Sequence, residues 1–243
     1  MRPVSRSPGD AELMDLLRSI VKGDGREAAR RIAAFPALAR LQARAGATRS
    51  SSTPFFFDEI KHYVYAGDTA LHLAAAAHQH EIARRLLDRG ADVASRNRRG
   101  AEPLHYAADG GPFRPDWSPA AQAETIRGLL DAGANPDALD KSGVAPLHRA
   151  VRGRCTPAVE ALLDRGAHAR LRNKSGSTPL HLAVQTTGAS GSGSPEAAAE
   201  QKTILRLLLK HGADPKEKDA AGKTAVERAA QDWMREILAG PRG

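Results

Sequence analysis

Apolar residues gather in short bursts at helical spacing, divided by polar turns. Leu71, Ala74 and Ala75 fall on one face of a helix, and Ile82, Leu86 and Leu87 repeat the pattern beyond the turn at His78-Gln79-His80. The second burst runs into Gly90, placed where a helix ends in a left-handed residue, a conformation that suits a side chain without Cβ. One such helix pair cannot bury its apolar face alone, so units of this kind must stack.

The pair recurs along the chain. Gly67-Asp68-Thr69-Ala70-Leu71-His72-Leu73-Ala74 is echoed by Gly100-Ala101-Glu102-Pro103-Leu104-His105-Tyr106-Ala107, by Gly143-Val144-Ala145-Pro146-Leu147-His148-Arg149-Ala150 and by Gly176-Ser177-Thr178-Pro179-Leu180-His181-Leu182-Ala183. Each is followed by a companion block: Leu86-Leu87-Asp88-Arg89-Gly90-Ala91, Leu129-Leu130-Asp131-Ala132-Gly133-Ala134, Leu162-Leu163-Asp164-Arg165-Gly166-Ala167 and Leu208-Leu209-Lys210-His211-Gly212-Ala213. The opening glycines are 33, 43 and 33 residues apart, and the next equivalent, Gly222, follows 46 later, so the period is 33 with insertions of 10 and 13. Each unit reads as turn, helix, short turn, helix and extended finger. Thr or its substitute before Pro caps the first helix, and Pro fits a first turn whose N–H has no intrahelical partner.

This combination resembles the ankyrin-repeat family, whose signature is Thr-Pro-Leu-His-x-Ala on a 33-residue period. The resemblance covers Gly67 to about Gly240. Ala70 and Ala225 replace the Pro, Glu102 and Ala145 replace the Thr, and Glu227 replaces the His of the last unit. It implies an all-α ankyrin-repeat solenoid of stacked helix-turn-helix units with short β-hairpin-like fingers. Residues 1–9 are expected as a disordered tail and 10–66 as a degenerate N-terminal capping repeat with an enlarged finger. Four full repeats are expected over 67–99, 100–142, 143–175 and 176–221, with a C-terminal capping repeat over 222–243.

In the enlarged finger, Phe55-Phe56-Phe57 and Tyr63-Val64-Tyr65 are expected to pack on the first full repeat, with an exposed partner-binding loop as the alternative. The insertions fall near 110–121 and 187–197, both between the helices of their units. The first carries Phe113 and Trp117 among prolines and reads as a defined loop, its aromatics either packed or poised for a partner. The second holds Gly188-Ala189-Ser190-Gly191-Ser192-Gly193-Ser194 and reads as flexible.

Composition narrows the classes. Of 243 residues 46 are Ala and only 4% are aromatic, so the core is built from Ala and Leu, as closely packed helices require. No window approaches the run of about 18 apolar residues that spans a bilayer. Nothing near Met1 resembles a secretory signal. The single cysteine, Cys155, excludes an intramolecular disulfide and a cysteine-based zinc cluster, and the expected location is cytoplasmic. The net charge of +8 comes from 27 Arg and 9 Lys against 28 acids. It favours acidic partners, although an Arg bias of this kind also follows from a GC-rich genome.

Catalytic chemistry finds no footing. His72, His105, His148 and His181 share one slot of the repeat, which the family resemblance assigns to hydrogen bonding between neighbouring turns. His78-Gln79-His80-Glu81 reads as a polar turn without a third ligand nearby. Cys155 has no activating motif, though Arg152 and Arg154 would lower its pKa somewhat. The Gly-Ser insertion lacks the Lys-Ser/Thr of a phosphate loop. No enzyme activity, metal or cofactor is expected.

What remains is recognition. The resemblance implies a concave groove lined by fingers and inner helices. Mapped onto this chain, the groove receives Tyr65, Asp68, Ala76 and Ala77, then Arg96, Arg98, Arg99 and Asp109. Next come Leu139, Lys141, Val144 and Arg152, then Arg172, Lys174, Ser177 and Gln185, and finally Lys218 and Lys223. Nine of these are basic and two acidic. They form either a solvated face or a strip for an acidic protein segment, with Arg96, Arg98, Arg99, Lys141, Arg152, Arg172, Lys174, Phe113 and Trp117 as candidate contacts. A nucleic acid or other polyanion is the weaker form of that idea, because aromatics for base stacking are few. A regulatory or inhibitory subunit of an enzyme is the other rival, and a membrane partner is not expected.

Overall fold

Helix pairs follow the sequence period throughout the computed structural model, which describes residues 9–110, 117–185 and 194–240. The first helices of the pairs are α1 (Asp10–Val21), α3 (Ala70–Ala76), α5 (Pro103–Ala108), α7 (Pro146–Gly153), α9 (Pro179–Ala183) and α11 (Ala225–Arg228). Their partners are α2 (Gly25–Ala34), α4 (His80–Asp88), α6 (Pro119–Asp131), α8 (Thr156–Leu163), α10 (Pro195–Lys210) and α12 (Asp232–Ala239). First helices pack on first helices and second on second, which gives two layers running the length of an all-α solenoid. Residues 1–8 of the expected 1–9 tail, Phe113 with the rest of 111–116, residues 186–193 with all of the Gly-Ser run but Ser194, and residues 241–243 lie outside the described residues.

The core repeats with the sequence. Leu71, Leu104, Leu147 and Leu180 occupy one slot and are buried, as are Leu86, Leu129, Leu162 and Leu208 on the second helices. Ala74, Ala107, Ala150 and Ala183, also buried, keep the first helices close. Gly90, Gly133, Gly166 and Gly212 all have positive φ, as their place after the Leu-Leu blocks requires.

The caps differ from the expectation. Thr69 Oγ1 accepts from the His72 N–H, but the side chains of Glu102 and Ala145 make no capping bond. The constant element is the histidine. Nδ1 of His72, His105, His148 and His181 accepts from the backbone N–H of Thr69, Glu102, Ala145 and Thr178, at 3.1 to 3.2 Å. The ring thus satisfies an N-terminal donor whichever residue stands at the cap.

Between α2 and α3 the chain forms a hairpin of β1 (Phe56–Phe57) and β2 (His62–Tyr63), antiparallel, with Phe56 opposite Tyr63 and Phe57 opposite His62. Ile60 and Val64 are buried, and Phe55, Phe57 and Tyr65 lie against the core. Gly46 passes so close to the backbone of Tyr65 and Ala66 that a Cβ there would collide with it. At the other end, Met234 and Leu238 of α12 are buried, and Lys202 lies over the Trp233 ring.

Candidate functional site

The fingers are tied into a continuous row. Backbone N–H groups of Arg98, Lys141, Lys174 and Ala220 donate to carbonyls of Ala66, Arg99, Ser142 and Ser175 in the preceding finger, at 2.7 to 3.1 Å. One residue earlier in each finger, a side-chain oxygen holds the loop closed. Oδ1 of Asn97, Asp140, Asn173 and Asp219 each accepts two backbone N–H bonds, from the residues two and four further on. These Asx turns fix the finger tips, so equivalent side chains recur at the spacing of packed helices, about 8 to 10 Å.

The candidate cations divide into two groups. Arg96 donates to the Leu139 carbonyl and Arg172 to that of Lys218, in each case the equivalent residue of the next finger. Arg96 also pairs with Glu102 at 3.4 Å and Arg172 with Glu217 at 3.6 Å. These two arginines serve as staples between fingers. Arg98 donates to the Ala47 carbonyl, and the Tyr65 ring carries both Arg98 and Arg99 on its face, 5.3 and 5.0 Å from its centroid. Lys141 and Lys174 are exposed, and among the described residues their ammonium groups have no hydrogen-bond or ion-pair partner. Arg152 is exposed, its Nη2 4.0 Å from Asp109 Oδ1.

Asp68, expected on the groove, is instead fully buried. Its carboxylate accepts from the Tyr106 hydroxyl at 2.9 Å, Asn97 Nδ2 at 2.8 Å and the Tyr65 N–H at 2.6 Å. Ala76 is buried as well. Trp117 is half-buried against the core, and its Nε1 donates to Oε1 of the buried Gln122 at 2.8 Å. Gln122 Nε2 in turn donates to the Ala107 carbonyl at 3.0 Å.

The middle of the inner face holds a polar cluster that joins Asp109 and Arg152, expected on the groove, to Arg149, Asp140, His62 and Tyr106, which were not among the expected groove residues. Arg149 donates to Asp109 Oδ2 at 2.5 Å and to Asp140 Oδ2 at 3.0 Å. Burial alone would raise the pKa of Asp109, but Arg149, His62 and Arg152 outweigh it and hold the carboxyl below the usual range. His62, carried in by β2, places its ring 4.3 Å from the Tyr106 ring and its Nε2 3.9 Å from Asp109 Oδ2. Its Nδ1–H donates to the Tyr63 carbonyl at 2.8 Å. Burial and the neighbouring Asp68 push the Tyr106 hydroxyl well above its ordinary pKa. A cavity of about 200 Å³ opens here between hairpin, fingers, α5 and α7, with Arg99, Arg149 and Arg152 in its walls. A signal was present in the sequence. Arg149 and Tyr106 fill the x of the Thr-Pro-Leu-His-x-Ala slot, where Leu73 and Leu182 stand in the flanking units.

The other candidates resolve into structure. His72, His105, His148 and His181 span units through Nε2, which donates to carbonyls of Ala101, Val144, Ser177 and Lys223 at 3.0 to 3.2 Å. With Nδ1 accepting and Nε2–H donating, His72, His105 and His148 are neutral imidazoles. Burial lowers the pKa of His72 and His148 and brings His105 to about 4. Cys155 reverses the expected shift: it is buried, and desolvation pushes its thiol up to about 11. His78 bonds the Asp109 carbonyl at 3.1 Å, while His80 faces Glu124 at 4.0 Å. Among the described residues no group of three or more His, Cys, Asp and Glu could hold a metal, and no helix is long and apolar enough to cross a membrane.

Three family models match the chain: ankyrin repeats in three copies over residues 43–114, ankyrin repeats in many copies over 129–183, and a single ankyrin repeat over 175–220. The chain belongs to the ankyrin-repeat family. Such repeats are generally protein–protein interaction modules and typically non-catalytic. A search of curated proteins found no match.

Proposed function

We propose that this protein is a non-catalytic interaction module that holds an acidic protein segment along its concave face. The observation that carries this reading is the pair Lys141 and Lys174: equivalent slots on fingers locked by Asx turns, exposed and, among the described residues, without anionic partners of their own. Arg98, Arg99, Arg152 and Arg172 extend the positive field on either side, while Arg96 and Arg172 also hold the fingers in register. In this reading the α1–α2 and α11–α12 pairs close the ends of the stack and Trp117 braces its loop.

The test uses a fluorescein-labelled decapeptide of alternating Glu and Gly, read by anisotropy over a range of salt. Exposed charge contacts contribute about 0 to 1 kcal/mol each, so Lys141→Glu with Lys174→Glu should weaken binding about tenfold and flatten its salt dependence. Melting temperature should stay within about 2 °C of the parent, because surface substitutions away from packed features change stability by no more than about 0.5 kcal/mol each. Unchanged peptide binding in the double variant, or tighter binding of a random-sequence DNA duplex than of the peptide, overturns the proposal.

A further inference from the structure

We infer that the cavity between the hairpin and α7 is a carboxylate pocket, in which Arg99, Arg152 and the Tyr65 hydroxyl grip an acidic side chain of the bound segment. The inference rests on the proposed groove function and adds to it a point of anchorage.

The donors follow from a count of hydrogens. Arg99 spends one N–H on the Tyr65 oxygen, at 3.1 Å, and keeps the rest of its fork. Because that oxygen accepts from Arg99, the Tyr65 hydrogen is left to donate, and among the described residues it has no acceptor. Tyr106 differs, since its hydrogen goes to Asp68. Arg152 stands beyond hydrogen-bond reach of Asp109, at 4.0 Å, so its fork is also open.

Charge supports an anion. Asp109 is the acid in the wall, and it shares Arg149 with Asp140, at 2.5 and 3.0 Å. Arg99 and Arg152 together carry one positive charge more than the carboxylate that Arg149 leaves uncovered. The volume of about 200 Å³ is room for roughly six waters at about 30 Å³ each, enough for a carboxylate on a short stem. The wall is preorganised: the Asn97 turn holds Arg99, the Tyr65 ring lies under its guanidinium, and α7 carries Arg152. A planar fork and a hydroxyl select a carboxylate in one orientation, which a long-range field does not.

A side chain of the segment and a free small carboxylate share this chemistry, and two titrations of the full chain separate them. The first uses glutarate, followed calorimetrically at low salt. Two variants conserve charge: Arg152→Lys removes the fork, and Tyr65→Phe removes only the hydroxyl and leaves the ring beneath the arginines. Each should bind glutarate at least about fivefold more weakly than the parent, the loss that one charge-assisted hydrogen bond brings, while Arg206→Gln, exposed on α10 and away from the pocket, should leave glutarate binding within about twofold. The second adds the Glu-Gly decapeptide, which should displace glutarate from the parent. If the parent fails to bind glutarate, or either charge-conserving variant binds it as the parent does, the pocket is overturned, and peptide binding that depends on Lys141 and Lys174 would leave the finger reading standing. Glutarate binding that the peptide does not displace overturns the side-chain occupant in favour of a free carboxylate.

Discussion

Two pairs of units built on one template end in different chemistry. In the flanking units the residue after the conserved-slot histidine is Leu73 or Leu182, and it adds to the apolar layer. In the middle units the same place holds Tyr106 and Arg149, each reaching back to the Asx side chain of the finger before it: Asn97 donates to the Tyr106 hydroxyl at 2.8 Å, and Arg149 donates to Asp140. Arg228 repeats the arrangement with Asp219 in the last unit. A polar residue in this slot therefore finds a partner that the finger already supplies, because the Asx turn uses one side-chain end for the loop and leaves the other facing the helix. The lesson is that a polar side chain in this slot is satisfied by the finger before it. That same arrangement lets the middle of the groove become the polar cavity into which the hairpin brings His62.

The largest effect expected from this contrast is at Arg149. Arg149→Leu installs the flanking residue but strips Asp109 and Asp140 of their shared cation, and removing one partner of a buried pair costs about 3 to 5 kcal/mol. Urea denaturation measures it. Adding Asp109→Asn should recover part of the loss, and a single variant as stable as the parent would erase the distinction between middle and flanking units.

The histidine slot, by contrast, makes the same pair of hydrogen bonds in all four units. Burial holds His105 at about 4 and lowers His72 and His148 from 6.5, so below pH 6.5 the unfolded chain takes up protons that the native state refuses. Stability is thus complete above about pH 6.5 and lost as pH falls toward 4, with His105 alone accounting for about 3 kcal/mol. The check is denaturation between pH 7 and 4. His105→Gln should reduce the slope, and an unchanged slope would show that the ring is not held neutral.

Tyr106→Phe is the smallest of the three. It leaves Asp68 with its Asn97 and Tyr65 donors and keeps the ring against His72, so a loss of about 1 to 2 kcal/mol is expected from the missing hydroxyl. A loss no greater than that of an exposed substitution would mean that the Asp68 cluster contributes packing alone.

The sequence by itself determined the period, the two-layer helix stack and the buried leucine slots, because these are local patterns repeated at a fixed offset and each unit contacts its neighbours in the same way. It also placed Lys141 and Lys174 in one slot and the four histidines in another. What it left undecided was where each polar side chain spends its donors. Asp68 reads as a groove residue until Tyr106, 38 positions away, closes over it. Cys155 reads as an ordinary thiol whose pKa two arginines lower somewhat, until burial pushes it up instead. Arg149 lies 40 residues from Asp109 and shows no sign of that pairing in sequence, while Arg96 and Arg172 read as part of a strip or a solvated face although each is bound to the next finger. Such pairings depend on which slots of successive units face each other and on how the hairpin folds back over α5. Only the stacked tertiary structure decides both, since a hydrogen bond between units has no signature within either one.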